Sequence, residues 1–177
     1  MVRTFIAVEP SAAVRSAIFS AGATLRGTGR LSIVPDNQMH ITLKFLGEIP
    51  EVKAAKVAAV LDTLPKGPYE LSAHGVSVFG RPPRVIKAEV HDGGRSAELA
   101  ADLETKLSKI GIPREEKKFS PHITIARVKE YVPELQAKLA ALKELDFGSC
   151  EIAAVSLKKS VLTPSGPIYS TLHRVEL

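Results

Sequence analysis

Gln38-Met39-His40-Ile41-Thr42-Leu43-Lys44-Phe45 places apolar side chains at 39, 41, 43 and 45 and polar ones at 38, 40, 42 and 44. Such period-two alternation belongs to a strand with one face on the core and the other polar. His40, Thr42 and Lys44 are therefore expected to project together from the polar face. The pattern returns in Phe119-Ser120-Pro121-His122-Ile123-Thr124-Ile125-Ala126-Arg127-Val128. There His122 and Thr124 share one face and Ile123 and Ile125 the other, and strict alternation sends Arg127 to the apolar side. Of the five histidines, only His40 and His122 have a threonine two positions on.

Outward from the two motifs, the pattern predicts an element order that runs almost in duplicate. Residues 2–8 read as a strand. Pro10-Ser11 opens a helix whose stripe Val14, Ile18, Ala21 and Leu25 steps by four, three and four. Gly27-Thr28-Gly29 ends it, and because a dinucleotide fingerprint sits between a strand and a helix, this G-x-G is not one. A short strand at 31–34 and a turn at Pro35-Asp36-Asn37 lead into the first motif. Gly47 is expected to break the motif strand. Pro50 then opens a helix carrying Val52, Val57, Val60, Leu61 and Leu64.

The second half has strands at 69–79 and 85–90 around Gly80-Arg81-Pro82-Pro83. A helix with Leu99, Leu103, Leu107 and Ile110 follows Gly93-Gly94. After the second motif, Pro133 opens a helix with Leu135, Leu139, Leu142 and Leu145 inward, and two last strands are expected near 152–159 and 168–175. No polar linker long enough to part independent domains appears. The expectation is an α+β fold, residues 1–177 forming one domain of two lobes. Each lobe contributes one motif to a cleft between mainly antiparallel sheets flanked by helices, in pseudo-twofold duplication.

Composition narrows the function classes. A hydrophobic share of 45% and a charged share of 24% over 177 residues suit a packed core rather than disorder. No run approaches the roughly 20 apolar residues of a membrane helix, and the apolar run at the N-terminus is too short for a signal segment. The lone Cys150 cannot form an intramolecular disulfide and reads as a small core hydrophobe, so a reducing cytoplasmic setting is expected. A net charge of +5 favours anionic partners, but the absence of tryptophan argues against a broad base-stacking platform. Basic residues are scattered: Arg81 and Arg84 in one loop, Arg114, Lys117 and Lys118 in another, Lys158 and Lys159 near the end. Most of these read as solvated surface.

Two histidines on opposed strands suit displacement at phosphorus. One imidazole takes a proton from the attacking oxygen and the other gives one to the leaving oxygen. Each threonine hydroxyl can donate to a non-bridging phosphate oxygen, and its β-branched side chain is already stiff. Lys44 and Arg127 lie near enough in sequence to add positive charge, although Arg127 needs a bend in its strand to face inward. Zinc is not expected, for lack of H-E-x-x-H spacing, paired cysteines or a carboxylate on the same strand face. His74, His91 and His173 have no threonine partner and read as surface or core residues.

The stretches His40-Ile41-Thr42-Leu43-Lys44-Phe45-Leu46-Gly47 and Phe119 to Arg127, with the opening Arg3-Thr4-Phe5-Ile6-Ala7-Val8, resemble the 2H phosphoesterase superfamily. Within it the chain is most similar to the RNA 2′,3′-cyclic phosphodiesterase (2′-5′ RNA ligase) family, and the likeness covers nearly the whole chain. The resemblance implies hydrolysis of a 2′,3′-cyclic phosphate to a 2′-phosphate without metal or cofactor. It implies His40 as proton donor and His122 as proton acceptor, with 2′-5′ RNA ligation as a further reaction of the same site and Arg127 on the phosphate. RNA ends or nucleotides bearing the cyclic phosphate would be the partners of a monomer. Two other readings stay open at this level: the same chemistry on a small nucleotide such as an ADP-ribose cyclic phosphate, and a non-catalytic RNA- or nucleotide-binding module. The intact His and Thr of both motifs speak against the last.

Overall fold

Nine strands and four helices follow in the order β1 (Val2–Val8), α1 (Ala12–Ala23), β2 (Arg30–Ile33), β3 (Ile41–Ile49), α2 (Glu51–Leu61), β4 (Tyr69–Phe79), β5 (Val85–His91), α3 (Arg95–Ser108), β6 (His122–Glu130), α4 (Glu134–Leu142), β7 (Asp146–Ile152), β8 (Ala154–Thr163) and β9 (Gly166–Glu176). They are taken from a computed structural model that describes all residues, Met1–Leu177. The strands form two sheets, ordered β3-β1-β8-β9 and β2-β6-β5-β4-β7, and every pairing is antiparallel. One motif strand belongs to each sheet. The α+β architecture with two helix-flanked antiparallel sheets is the one expected.

The helices form where their apolar stripes can be covered. In α1, Val14, Ile18 and Ala21 are buried, followed by Leu25 just beyond the helix, and the Ser11 side chain accepts from the Val14 amide at its start. In α3, Leu99, Leu103 and Leu107 line the buried side, and Asp92 accepts from the amides of Gly94 and Ser96 at 3.0 Å each. In α2 the buried stripe is Ala54, Val57 and Leu61, and Val52 stands 73% exposed, off the angle of that stripe. Leu145, expected inward, lies beyond the end of α4 and is largely exposed. Buried residues of both sheets and the helices join in one apolar cluster, including Ile6, Ile41, Ile86, Leu103 and Ile123.

Two further expectations fail for backbone reasons. Gly47 does not break its strand: it adopts φ +69° and pairs with Thr4, and β3 continues until Ile49 pairs with Val2. Near the C-terminus, the expected strand at 152–159 is two strands divided at Ala153. β7 lies at the edge of the second sheet and β8 lies inside the first. β7 escaped notice because only Phe147 and Ile152 of it are buried, an odd spacing produced by an irregularity in its pairing with β4.

Candidate active site

The two motif histidines are held in the same way. His40 Nδ1 donates to the Gln38 carbonyl at 2.7 Å, and His122 Nδ1 donates to the Ser120 carbonyl at 2.8 Å. A carbonyl only accepts, so each Nδ1 carries the hydrogen and each neutral ring offers an Nε2 lone pair. The His40 Nε2 lies 3.1 Å from the Thr42 hydroxyl, which donates to it when the ring is neutral. Phe5 stacks on the His40 ring at 4.8 Å and Tyr169 meets it edge-on at 5.5 Å. Phe79 meets His122 edge-on at 5.1 Å. Strands β3 and β6 approach each other, and the charge of His122 acts on His40.

Burial dominates the electrostatics of both rings and pushes each below the ordinary histidine value. Smaller effects balance across each ring. For His40 the Gln38 carbonyl and Glu9 favour the charged form, while Lys158 and His122 oppose it. For His122 the Ser120 carbonyl and Glu89 favour it, while Lys87 and Arg127 oppose it. The arrangement is quasi-symmetric. Each imidazole has a lysine–glutamate pair close by, Lys158–Glu9 at 2.5 Å and Lys87 with Glu89.

One backbone device, used twice, decides which cations reach these histidines. Along β1, Ala7 pairs with Thr42 and the next residue back, Ile6, pairs with Lys44, so Leu43 is an extra residue in β3. Along β5, Lys87 pairs with Thr124 and Ile86 with Ala126, so Ile125 is an extra residue in β6. Each is a β-bulge directly after the threonine, and each reverses the face of the side chains that follow, in β3 until a second extra residue at Leu46. Lys44 is thereby carried away from His40 and Thr42. It is buried, its Nζ 2.6 Å from Glu104 Oε1 of α3 and donating to the Pro113 carbonyl at 2.8 Å. This corrects the expectation of Lys44 as a phosphate ligand: its ammonium is committed to the other side of the sheet. Arg127, which alternation had sent to the apolar side, is returned to the His122 face. It is exposed, and its charge acts on both His122 and Tyr169.

The family model for LigT-like phosphoesterases matches residues 8–87 and again 91–169, one His-x-Thr motif in each stretch. The chain belongs to the LigT-like phosphoesterase family. It is 35% identical over 99% of its length to the RNA 2′,3′-cyclic phosphodiesterase of Archaeoglobus fulgidus, covering 100% of that protein. It is 37% identical over 99% of its length to the enzyme of the same name from Thermotoga maritima, covering 95% of it. A crystal structure of a Thermus thermophilus protein superposes with a TM-score of 0.87 at 31% identity, covering 99% of this chain and 97% of that one. The crystal structure of Escherichia coli LigT with 3′-AMP, at 21% identity and a TM-score of 0.82 over 99% of this chain and 98% of that one, shares the fold.

Several side chains of this LigT-like site were not singled out in sequence. Phe5, Phe79 and Tyr169 contact the histidines. The ring of Phe79 also lies 4.7 Å from Lys87 Nζ. Phe5 could have been found, since it sits on the same strand face as Ala7, opposite the motif threonine. Tyr169 could not, because nothing local in β9 marks a residue distant in sequence from either motif. The remaining histidines stand apart. His173 bonds Asp62 at 2.7 Å, and His74 and His91 are exposed neighbours 6.4 Å apart on β4 and β5. Cys150 packs, partly buried, against the core and accepts from the Ser11 amide at 3.3 Å.

The depressed histidines set a pH dependence. Acid–base catalysis by such a pair would need one ring charged and the other neutral, with kcat/KM greatest between their two pKa values. Burial places both below the ordinary value of about 6.5, and the maximum is therefore expected on the acid side of that value. Above it the acid has lost its proton; below it the base has gained one. A pH–kcat/KM profile on a mononucleoside 2′,3′-cyclic phosphate, whose own charge is constant across this range, reads this directly. A maximum above pH 7 would refute the assignment of the profile to these two groups.

Proposed function

We propose that this chain, as one two-lobed domain, hydrolyses the 2′,3′-cyclic phosphate at the 3′ end of RNA to a 2′-phosphate and a free 3′-hydroxyl. His122 Nε2 takes a proton from water as the water oxygen attacks phosphorus. The P–O3′ bond breaks, and protonated His40 gives its Nε2 proton to the departing 3′ oxygen. The Thr42 and Thr124 hydroxyls hold non-bridging oxygens, and Arg127 offsets the charge of the five-coordinate phosphorus. When the 5′-hydroxyl of a second RNA replaces water as the nucleophile, the same two proton transfers join it to phosphorus as the P–O3′ bond breaks, which is 2′-5′ ligation.

The observation that carries this reading is the matched presentation of two Nε2 atoms, each fixed by an Nδ1–carbonyl bond, on strands from two different sheets. The substrate class has its support in relatives named RNA 2′,3′-cyclic phosphodiesterases that align over nearly the whole chain. No helix is long and apolar enough to cross a membrane. A single chain supplies both motifs, so the proposal needs only a monomer, acting in the cytoplasm.

The test is product analysis. An oligoribonucleotide ending in a 2′,3′-cyclic phosphate is expected to yield only the 2′-phosphate, identified by phosphorus NMR, and EDTA is expected to leave the rate unchanged because the imidazoles supply both proton transfers. Formation of the 3′-phosphate, or no turnover of any cyclic phosphate, would refute the proposal.

A further inference from the structure

The cleft face of the first sheet continues past His40 to a second group of polar side chains. Phe5 stacks on His40, and Arg3 precedes it by two residues on β1, hence on the same face. Thr4 pairs with Lys159, which sets Arg3 beside Ser160, and Ser160 pairs with Tyr169. Arg3, Ser160 and Tyr169 thus form a row across β1, β8 and β9, and residues in one row share a face. Tyr169 identifies that face as the cleft, since its ring lies 5.0 Å from Phe5 and 5.5 Å from His40.

The cations around this row differ in what they are bound to. Lys158 and Lys87, beside the histidines, are each paired with a glutamate. Arg3 and Arg127, one from each sheet, are exposed and form no ion pair. Burial raises the Tyr169 hydroxyl above the ordinary tyrosine range, while the charges of Arg127 and Arg3 both act on it in the opposite sense. The hydroxyl therefore keeps its proton at neutral pH and is available as a donor within the influence of both guanidinium charges. A guanidinium with a neighbouring hydroxyl is suited to a phosphate, which it can meet with two parallel N–H donors.

The two arginines come from different strands in different sheets. Arg127 follows Thr124 on the His122 strand, next to the reacting centre. Arg3 lies two residues beyond the position stacked on His40, a displacement of about 6–7 Å along the strand, which is the scale of the step between successive phosphates of an extended strand. We propose that Arg3 and the Tyr169 hydroxyl form a subsite for a second, non-reacting phosphate, the phosphodiester joining the terminal nucleotide to the rest of an RNA strand. This rests on the cyclic phosphodiesterase function above and adds to it the feature that distinguishes an RNA end from a free nucleoside cyclic phosphate.

Three substrates test it: uridine 2′,3′-cyclic phosphate with a 5′-hydroxyl, the same nucleoside with a 5′-phosphate, and an oligouridylate with a 2′,3′-cyclic end. Arg3→Ala is expected to lower kcat/KM on the oligonucleotide at least tenfold, chiefly through KM, and to leave the 5′-hydroxyl nucleoside within twofold of wild type. Arg3→Lys should recover part of the loss, and Tyr169→Phe, read as the ratio of its oligonucleotide to its 5′-hydroxyl nucleoside kcat/KM, should lower that ratio less than Arg3→Ala does. A loss on the 5′-phosphorylated nucleoside as well would show that any phosphate at that position is held; its absence would restrict the subsite to the diester. Equal losses on the oligonucleotide and the 5′-hydroxyl nucleoside, or no loss on the oligonucleotide, would overturn the proposal. Failure of the wild-type protein on all three would instead overturn the function on which it rests.

Discussion

His40→Ala and His122→Ala are each expected to lower kcat on a 2′,3′-cyclic phosphate by about 10³-fold, the middle of the range for a positioned general acid or base. The two losses should be far from additive, because a displacement that lacks its base gains little from retaining its acid. Both rings are only partly buried, so the variants should fold. His40→Ala also removes the stacking partner of Phe5, and a stability loss of about 1 kcal/mol is expected there. His122→Ala loses an edge contact with the largely exposed Phe79 and should be closer to neutral. Single-turnover rates with thermal melts as the folding control make the measurement. Retention of more than a tenth of wild-type kcat by a folded variant of either kind would eliminate the two-histidine mechanism.

Alternation alone located the motif strands, and it correctly grouped His40 with Thr42 and His122 with Thr124. The same rule then failed one step later in both strands, at Lys44 and at Arg127. The cause is the extra residue at Leu43 and at Ile125, which period-two counting has no means of detecting. Neither bulge contains a glycine or proline to announce it. Yet the burial of Leu43 with Lys44, and of Ile125 with Ala126, is the same two-residue signature in both halves. A sequence comparison of the two halves could have exposed it: the repeat sets Lys44 against Ala126 and Phe45 against Arg127. An alanine opposite Lys44 marks a buried position, and Arg127 opposite the exposed Phe45 marks an open one. The helices were legible because their stripes fall at three- and four-residue steps, whereas Tyr169 and Arg3 reach the cleft only through sheet order, which no local pattern encodes.

The reassignment of Lys44 leads to an expectation opposite to that of a phosphate ligand. Its ammonium bonds Glu104 Oε1 and the Pro113 carbonyl, and Glu104 Oε2 in turn accepts from the Glu115 amide at 3.2 Å. These bonds tether the segment after α3, which runs on to Ser120, the residue whose carbonyl holds His122. Lys44 belongs to the strand that follows His40. It therefore links the supports of the two catalytic candidates across the sheets. Lys44→Met leaves Glu104 without its partner, and since Glu104 is partly solvated the cost should be about 2–4 kcal/mol, below the full penalty for a deeply buried pair. Denaturant unfolding should show that loss, together with a fall in kcat larger than any rise in KM as His122 loses its fixed placement. Glu104→Gln keeps an oxygen acceptor but removes the counter-charge of the buried ammonium, so both effects should appear there too, with the double variant showing less than the sum of the two. A lysine that bound substrate phosphate would give the reverse pattern: a raised KM, unchanged unfolding, and no response to Glu104→Gln.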